Sequence, residues 1–374
     1  MTKVILRRCE NYDADEIQSL LRDAIGELGG VPALHPGAKV LVKPNLLMRR
    51  DPERHTTTHP AVVEAVVRQL QDMGCTVTLA DSPGGPFTEG LLRGLYALTG
   101  MEDVAKRTGA SLNYSTESAE VELPDAWQSH MLTVMRCAAE ADCIVSVGKI
   151  KTHGLTAYTG AVKNLFGLVP GMLKVDCHAR YPDISEFAKL VLDIERWAKP
   201  CLSVLDGIWG MEGAGPSGGS PRRLNALVVS DNAHACDVVG SALIGFAPEE
   251  VATLKCAQEM GILPVPVVVG ESVDSLAQRF KRAPADAAAR GILTNPLFSR
   301  LVRSKPVVKK SKCVGCGVCM RSCPGKAIEL ADKKPRFDYQ KCIRCYCCQE
   351  LCPKTDVEVR RNPLVSLLHE RGKQ

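Results

Sequence analysis

Short apolar runs recur along residues 1–285, and each run is bounded by turn-forming residues. Runs of this length and composition are typical of strands buried on both faces of a parallel sheet. The predicted strands span residues 40–42, 77–80, 143–147, 202–205 and 226–229. Segments with helical spacing lie between them, at residues 60–73, 183–198 and 233–244. This alternation predicts an α/β fold with a mostly parallel sheet covered by helices.

Polar residues among glycines follow several of these strands. Ligands of an open α/β sheet bind beyond the carboxyl ends of its strands, and glycine allows close approach of the backbone to a small anion. We therefore expect a small anionic substrate at this edge. The candidate substrate-binding residues are Asn45, Asp81, Ser82, Asn164, Asp206 and Glu212. The candidate catalytic residues, which carry an amine or an imidazole, are Lys43, His59, Lys151, His153 and Lys163.

Several of these candidates also have a simpler structural interpretation. In that interpretation His59 lies at the start of a predicted helix and packs locally, and Asp81 caps a turn. Asp206 and Glu212 pair as a base or as metal ligands in the functional interpretation. His153 is the candidate proton donor, because an unperturbed imidazole has a pKa of about 6.5 and transfers protons near neutrality.

Eight cysteines near the C-terminus form two copies of the pattern C-x2-C-x2-C-x3-C-P, 29 residues apart. This is the bacterial ferredoxin pattern for two [4Fe–4S] clusters, in which the fourth cysteine of each run binds the other cluster. One cluster is therefore expected on Cys313, Cys316, Cys319 and Cys352. The other is expected on Cys323, Cys342, Cys345 and Cys348.

Two other uses of these cysteines fit the spacing poorly. Zinc ribbons also contain C-x2-C pairs, but they seldom have three cysteines in one run that ends in Cys-Pro. Disulfides are disfavoured because the triplets leave no sensible pairing. Cys347 lies outside the pattern and is either a small packed side chain or a spare thiol close to the iron.

These patterns divide the chain into four parts. The α/β domain is expected over residues 1–285, and a proline-rich linker over 286–308. A small α+β two-cluster ferredoxin domain is expected over 309–361, followed by a helical tail over 362–374.

Composition and charge indicate the cellular compartment of the protein and the class of its partners. The remaining cysteines are scattered, which fits a reducing cytoplasm, and no apolar run is long enough to span a bilayer. Residues 301–374 carry 17 Lys and Arg against 7 Asp and Glu, a net charge of +10. Negatively charged clusters account for this basic character, which also suits an acidic redox partner such as ferredoxin or flavodoxin. With 5% aromatic residues, no nucleic-acid partner is expected.

Several of the polar segments together resemble the DUF362 family. They are Lys43-Pro44-Asn45, Thr58-His59-Pro60, Lys151-Thr152-His153, Lys163-Asn164-Leu165-Phe166-Gly167 and Asp206-Gly207. The family has no assigned function and is often fused to a two-cluster ferredoxin, so the resemblance implies this architecture for the whole chain.

A second segment is similar to the lactate racemase superfamily. His153, Gly160, Lys163 and Pro170-Gly171 follow the order of the residues that hold its nickel-pincer nucleotide. Ala161 stands where that family has a second glycine. The resemblance implies a shared scaffold and an anion-binding lysine, without the nickel cofactor.

These observations favour a ferredoxin-linked oxidoreductase that passes low-potential electrons to the bound anion. Because no Gly-x-Gly-x-x-Gly follows a strand, a nicotinamide site is not expected. The alternative is a non-catalytic electron-transfer or redox-sensing protein whose α/β domain docks a partner.

Overall fold

The structure is a computed structural model that describes residues 2–284, 304–309 and 312–360. Its strands are β1 (Thr2–Arg8), β2 (Lys39–Pro44), β3 (Thr76–Leu79), β4 (Ser111–Leu112), β5 (Ser118–Glu122), β6 (Met131–Met135), β7 (Cys143–His153), β8 (Ala157–Thr159), β9 (Leu202–Glu212), β10 (Ser220–Ser230), β11 (Pro266–Gly270), β12 (Lys305–Val308), β13 (Ile328–Ala331), β14 (Lys334–Phe337) and β15 (Val357–Arg360). Its helices are α1 (Ala14–Leu28), α2 (Pro60–Asp72), α3 (Glu89–Leu98), α4 (Met101–Thr108), α5 (Arg136–Ala139), α6 (Ala161–Asn164), α7 (Leu173–Arg180), α8 (Ile184–Ala198), α9 (Ala233–Leu243), α10 (Ala252–Glu259), α11 (Val273–Leu276), α12 (Val318–Arg321) and α13 (Cys347–Glu350).

One large sheet organises the first part of the chain. Its strand order is β11–β1–β10–β9–β7–β2–β3–β4, and β8 pairs with β7. Most neighbours are parallel. Helices α1 to α4 cover one face of the sheet, and helices α8 to α10 cover the other, each over its own apolar core. The predicted α/β fold with a mostly parallel, helix-covered sheet is confirmed.

Strand β10 departs from the parallel arrangement. It contains the predicted strand 226–229 but runs antiparallel to both β9 and β1. The loop between β9 and β10 is short, whereas a parallel connection needs a dozen or more residues. The connection length therefore decides the direction of this strand.

Strands β7 and β9 are longer than predicted. The apolar runs predict strands that end at residues 147 and 205, but β7 continues to His153 and β9 to Glu212. The extension of β7 is paired on both sides, by β8 and β9, which satisfies its backbone. As a result Lys149, Lys151 and His153 lie on a buried strand and not in a loop.

The apolar runs do not predict strands β1 and β11, and the structure also changes part of the predicted linker. Strands β1 and β11 pair in parallel at one edge of the sheet. The predicted linker 286–308 is wrong over Lys305–Val308, which forms β12 and pairs with β15. Pro306 is compatible with this ladder because it has only two strands, so proline lies on an edge. The predicted tail 362–374 lies outside the described residues.

The C-terminal region is small and rich in strands. The β12–β15 pair and the β13–β14 hairpin enclose two short helices, α12 and α13, which carry cysteines. Within the described ranges, no helix has the length and apolar character that crossing a bilayer requires.

Candidate functional site

One open cavity lies beyond the carboxyl ends of β2, β3 and β7. It collects most of the predicted residues of the α/β domain, as the common edge of parallel strands requires. The predicted residues that line it are Lys43, Asn45, Asp81, Ser82, Lys151, His153, Lys163 and Asn164. His59, Asp206 and Glu212 do not line it.

Lys43 forms the floor of this cavity. Its Nζ lies 2.7 Å from Asp81 Oδ1 and donates to Asn164 Oδ1 at 3.0 Å and to the Pro44 carbonyl at 2.8 Å. Asp81 also accepts from the Leu46 amide at 2.8 Å. Burial lowers the pKa of Lys43, and the Asp81 carboxylate opposes this shift. All three ammonium protons of Lys43 thus have acceptors, so this residue organises the site from within.

Lys151 has hydrogen-bond partners among the described residues for two of its three ammonium protons. Its Nζ donates to Asn45 Oδ1 at 2.8 Å and to the Thr56 carbonyl at 2.7 Å, which leaves the third ammonium proton for the cavity. Burial lowers the pKa of Lys151 to about 7, while Glu350 opposes the shift. Asn45 links this amine to Asn164 through its Nδ2 at 3.2 Å.

Lys163 faces the cavity with no hydrogen-bond partner in the described part of the chain, and its Nζ lies 5.8 Å from the centre of the Phe166 ring. It lies on α6, directly before Asn164. Burial lowers its pKa, and Glu350 acts in the opposite direction. Lys163 therefore offers all of its ammonium protons to a ligand.

Lys174 is a fourth cavity lysine that the sequence reasoning missed. It lies on α7, and its Nζ donates to the carbonyls of Ser82, at 2.7 Å, and Val169. Burial lowers its pKa to about 7. The available signal was its position shortly after Pro170-Gly171, in the same polar segment as Lys163.

His153 is held as a neutral hydrogen-bond donor, which corrects its predicted role as a proton donor. Its Nδ1 accepts from the amides of Leu155 at 3.0 Å and Thr156 at 3.3 Å, so the ring proton resides on Nε2. Burial lowers the pKa of His153 well below its usual value, and Lys163 and Lys151 add to the effect. The side chain is 4% exposed, and Nε2 has no partner among the described residues.

Ser82 and Thr159 complete the polar lining in different ways. Ser82 Oγ accepts from the Gly171 amide at 2.7 Å and so fixes the loop above the cavity. Thr159 Oγ1 is buried and unpartnered within the described ranges. The cavity therefore contains two orphaned polar groups, Thr159 Oγ1 and His153 Nε2, each of which is costly to bury unless a ligand or water satisfies it.

The cysteine-rich region supplies one wall of the same cavity. Glu350, the last residue of α13, lines this cavity. In the sequence it lies between Cys348 and Cys352. Ser217 Oγ donates to the Glu350 carbonyl at 3.3 Å, and Gln349 Nε2 donates to the Ala214 carbonyl at 3.1 Å. No sequence signal places Glu350 here, because the contact joins residues far apart in the chain.

His59 and Asp206 belong to a separate buried network. Asp206 accepts from Lys149 Nζ at 2.8 Å, from the His59 amide at 3.0 Å and from Tyr12 Oη at 3.0 Å. Lys149 also donates to Tyr12 Oη at 2.9 Å, and the His59 ring stacks on Tyr12 with centroids 3.6 Å apart. The side chains of the ion pair, Lys149 and Asp206, are both fully buried. His59 caps α2, since its Nδ1 accepts from the Ala61 amide at 3.2 Å.

Glu212 also has a structural contact. Its Oε2 accepts from the Lys281 amide at 3.0 Å, and its carboxylate lies 3.7 Å from Lys281 Nζ. Asp206 instead forms its ion pair with Lys149. The predicted pairing of Asp206 with Glu212 as a base or metal site is therefore wrong.

The eight patterned cysteines surround two small cavities. The first is lined by Cys313, Cys316, Cys319 and Cys352. The second is lined by Cys323, Cys342, Cys345 and Cys348. In the described residues no group of three His, Cys, Asp or Glu converges as a single metal ion requires. Two sets of four thiols around separate spaces suit a bulkier group with several irons.

Comparison with known proteins agrees with this division of the chain. The family model described as a domain of unknown function, DUF362, matches residues 40–242, and that of a 4Fe-4S dicluster domain matches residues 305–353. The thylakoid-associated protein sll1697 of Synechocystis sp. is 32% identical over 265 residues, which cover 70% of this chain and 80% of that protein.

A solved structure also shows a distant likeness. The lactate racemase apoprotein from Thermoanaerobacterium thermosaccharolyticum aligns with a TM-score of 0.39 and 16% identity, over 63% of this chain and 56% of that one. The two family models, in contrast, match the upstream domain and the cysteine-rich region of this chain. The dicluster match shows that iron–sulfur clusters are the cofactors of this protein. The chain therefore belongs to the DUF362 family and carries a C-terminal 4Fe-4S dicluster domain.

Proposed function

We propose that the protein is an oxidoreductase that passes low-potential electrons through two [4Fe–4S] clusters to a small anionic substrate in the cavity. The observation that carries this proposal is the position of Glu350. It lines the cavity, and it lies in the segment that joins Cys348 to Cys352. The substrate site and the cluster-binding segment thus share one wall.

Each cluster has its own set of four cysteines in this proposal. The fourth cysteine of each run is expected to bind the cluster of the other run. In agreement with this, Cys352 lines the first cysteine cavity and Cys323 lines the second. Clusters held there supply one-electron transfer at low potential. The Cys323 thiol also accepts from the Ala327 amide at 3.2 Å, a contact that stabilises a thiolate ligand.

The side chains of the cavity bind the anion and hold protons. Within the described ranges, all three ammonium protons of Lys163 are free, and Lys151 and Lys174 each have one free ammonium proton. With pKa values of about 7, the ammonium groups of Lys151 and Lys174 are matched to proton transfer near neutrality. His153 donates a hydrogen bond through Nε2 and orients the substrate.

A soluble electron carrier such as ferredoxin or flavodoxin is the proposed donor. Its acidic surface would meet basic side chains of the cysteine-rich region, which steer an acidic partner. The exposed basic residues there include Lys312, Arg321, Lys326, Lys341 and Lys354. A cytoplasmic location belongs to the same proposal, because cysteines scattered through the chain without a disulfide framework are typical of a reducing compartment.

The Lys163→Ala variant tests the proposal. We expect the reduced protein to be reoxidised anaerobically by a member of a panel of small carboxylates and oxyanions. The variant should react roughly 10- to 100-fold more slowly, the factor for losing one charge-assisted hydrogen bond. The measurement is cluster absorbance in a stopped-flow instrument, at equal iron content.

The matched control is Lys255→Ala. Lys255 is an exposed helical lysine that does not line the cavity, so its rate should equal that of the wild type. If Lys163→Ala is reoxidised as fast as Lys255→Ala by every acceptor, the cavity is not catalytic. The clusters then serve a docked partner protein.

A further inference from the structure

The charges of the described side chains that line the cavity do not balance without a ligand. Lys43 and Asp81 form an internal pair at 2.7 Å, so they neutralise each other. Among the described residues of the lining, Glu350 carries the single remaining carboxylate, which Lys151, Lys163 and Lys174 face. With every lysine protonated, the lining carries two positive charges in excess, and buried charge of one sign is unfavourable unless it is paired.

The free polar groups of the cavity are mostly hydrogen-bond donors. Counting partners among the described residues alone, Lys163 has three free ammonium protons, and Lys151 and Lys174 have one each. His153 Nε2 and Thr159 Oγ1 are buried without partners in the part of the chain that the structure describes. A neutral or cationic ligand would leave several of these donors unsatisfied, whereas oxygen atoms of an anion would accept from them.

From the excess charge and the free donors, we infer that the substrate is a compact dianion, either a doubly charged oxyanion or a short dicarboxylate. This inference deepens the proposed function, since it concerns the same cavity and names the class of its substrate. Two negative charges match the lining, and several acceptor oxygens within one small molecule match the number of donors. A monoanion leaves one charge uncompensated and has fewer acceptors.

The lysines make this binding dependent on pH. Burial lowers the pKa values of Lys151 and Lys174 to about 7, and a bound anion favours the ammonium form of each. Below these values the amines are already charged and binding is strongest. Above them each amine must take up a proton, so affinity falls as pH rises. Among the described residues, the charged and titratable groups that face the two amines are Lys43, Asp81, Lys149, His153, Lys163, Cys177 and Glu350.

The test compares anions of the same shape and different charge on the cluster-loaded, oxidised protein. Isothermal titration calorimetry is run with sulfate against methanesulfonate, and with malonate against malonamate. At least one dianion should bind about tenfold or more tightly than its monoanionic partner, and which one does so separates the oxyanion from the dicarboxylate. Sulfate remains a dianion throughout, so weaker sulfate binding from about pH 6 to about pH 9 reports protein groups alone.

Two variants check that the charge of this cavity is responsible. Glu350→Gln removes the opposing carboxylate and should tighten the binding of the preferred dianion, whereas Lys163→Ala should weaken it about tenfold or more. Lys255→Ala should leave it unchanged. Equal affinity for the two members of both pairs, or no saturable binding of either dianion, overturns the inference.

The outcomes distinguish this inference from the proposed function. In the first outcome, a dianion binds selectively, but neither it nor any other small acceptor reoxidises the reduced protein. This outcome supports a dianion as the ligand of the cavity and contradicts the oxidoreductase. Rapid reoxidation by a monoanion or a neutral acceptor alone supports the oxidoreductase and contradicts the dianion.

Discussion

The Cys348→Ala variant is expected to lose one cluster, so that bound iron falls from about eight to about four atoms per chain. Cys348 lines one cavity together with Cys323, Cys342 and Cys345, and alanine offers no ligand in its place. The other four thiols line a separate cavity and keep their cluster. Iron analysis and electron paramagnetic resonance of the anaerobically purified, reduced protein measure the loss.

Cys347 provides a control one position away. It is a buried cysteine that lines neither of the two cysteine cavities, although it belongs to the same helix as Cys348. Cys347→Ala should therefore retain all of the iron. The ligand assignment is wrong if Cys347→Ala loses a cluster, or if Cys348→Ala retains both.

The Asp206→Asn variant is expected to destabilise the α/β region by about 3–5 kcal/mol. Asp206 is fully buried and accepts from Lys149, Tyr12 and the His59 amide. The amide removes its negative charge and leaves the Lys149 ammonium buried without a counterion. A broken buried ion pair is costly because the desolvation of the remaining charge is no longer compensated.

Urea unfolding followed by tryptophan fluorescence measures this effect, because all three tryptophans, Trp127, Trp197 and Trp209, precede the cysteine-rich region. Asp125→Asn is the control: Asp125 is 80% exposed and lies 3.2 Å from Arg196, a type of surface pair that contributes about 0–1 kcal/mol. Similar unfolding midpoints for the two variants would show that the Asp206 network does not stabilise the fold.

The sequence predicts those strands whose residues are mostly buried. Residues 40–42 are all buried, and residues 77–80 are buried except for the half-buried Thr78, so both segments appear in the sequence as short apolar runs. Strand β11 was missed because it lies at the edge of the sheet and is only partly buried. The ends of β7 and β9 were missed because Lys149, Lys151 and Asp206 interrupt the apolar pattern, and only their partners across the sheet make their burial favourable.

The candidate site shows the same division. Sequence position was sufficient for Lys43, Asp81 and Lys163, since the carboxyl ends of parallel strands meet at one edge. It could not distinguish the two sides of that edge, so Asp206 was assigned to the substrate although it pairs with Lys149. Glu350 enters the cavity only through packing between distant parts of the chain, which no local pattern records.

The most direct test of the account is the reduction potential of the clusters with and without a ligand in the cavity. The central claim is that the cavity and the cluster-binding segment form one unit, joined at Glu350. The potential is measured by electrochemical titration with viologen mediators, because dithionite would generate competing sulfur oxyanions. A pH of about 6 keeps Lys151 and Lys174 charged before the ligand binds.

Saturating sulfate should make the potential of at least one cluster more negative by ~30 mV or more, because a nearby dianion opposes the addition of an electron. By reciprocity, reduction should weaken sulfate binding by the corresponding factor, tenfold for each ~59 mV. The shift should persist unchanged in Lys255→Ala, whereas in Lys163→Ala it should require about tenfold more sulfate or more to reach the same size. Saturable sulfate binding in the cavity that leaves both potentials unchanged would contradict the account.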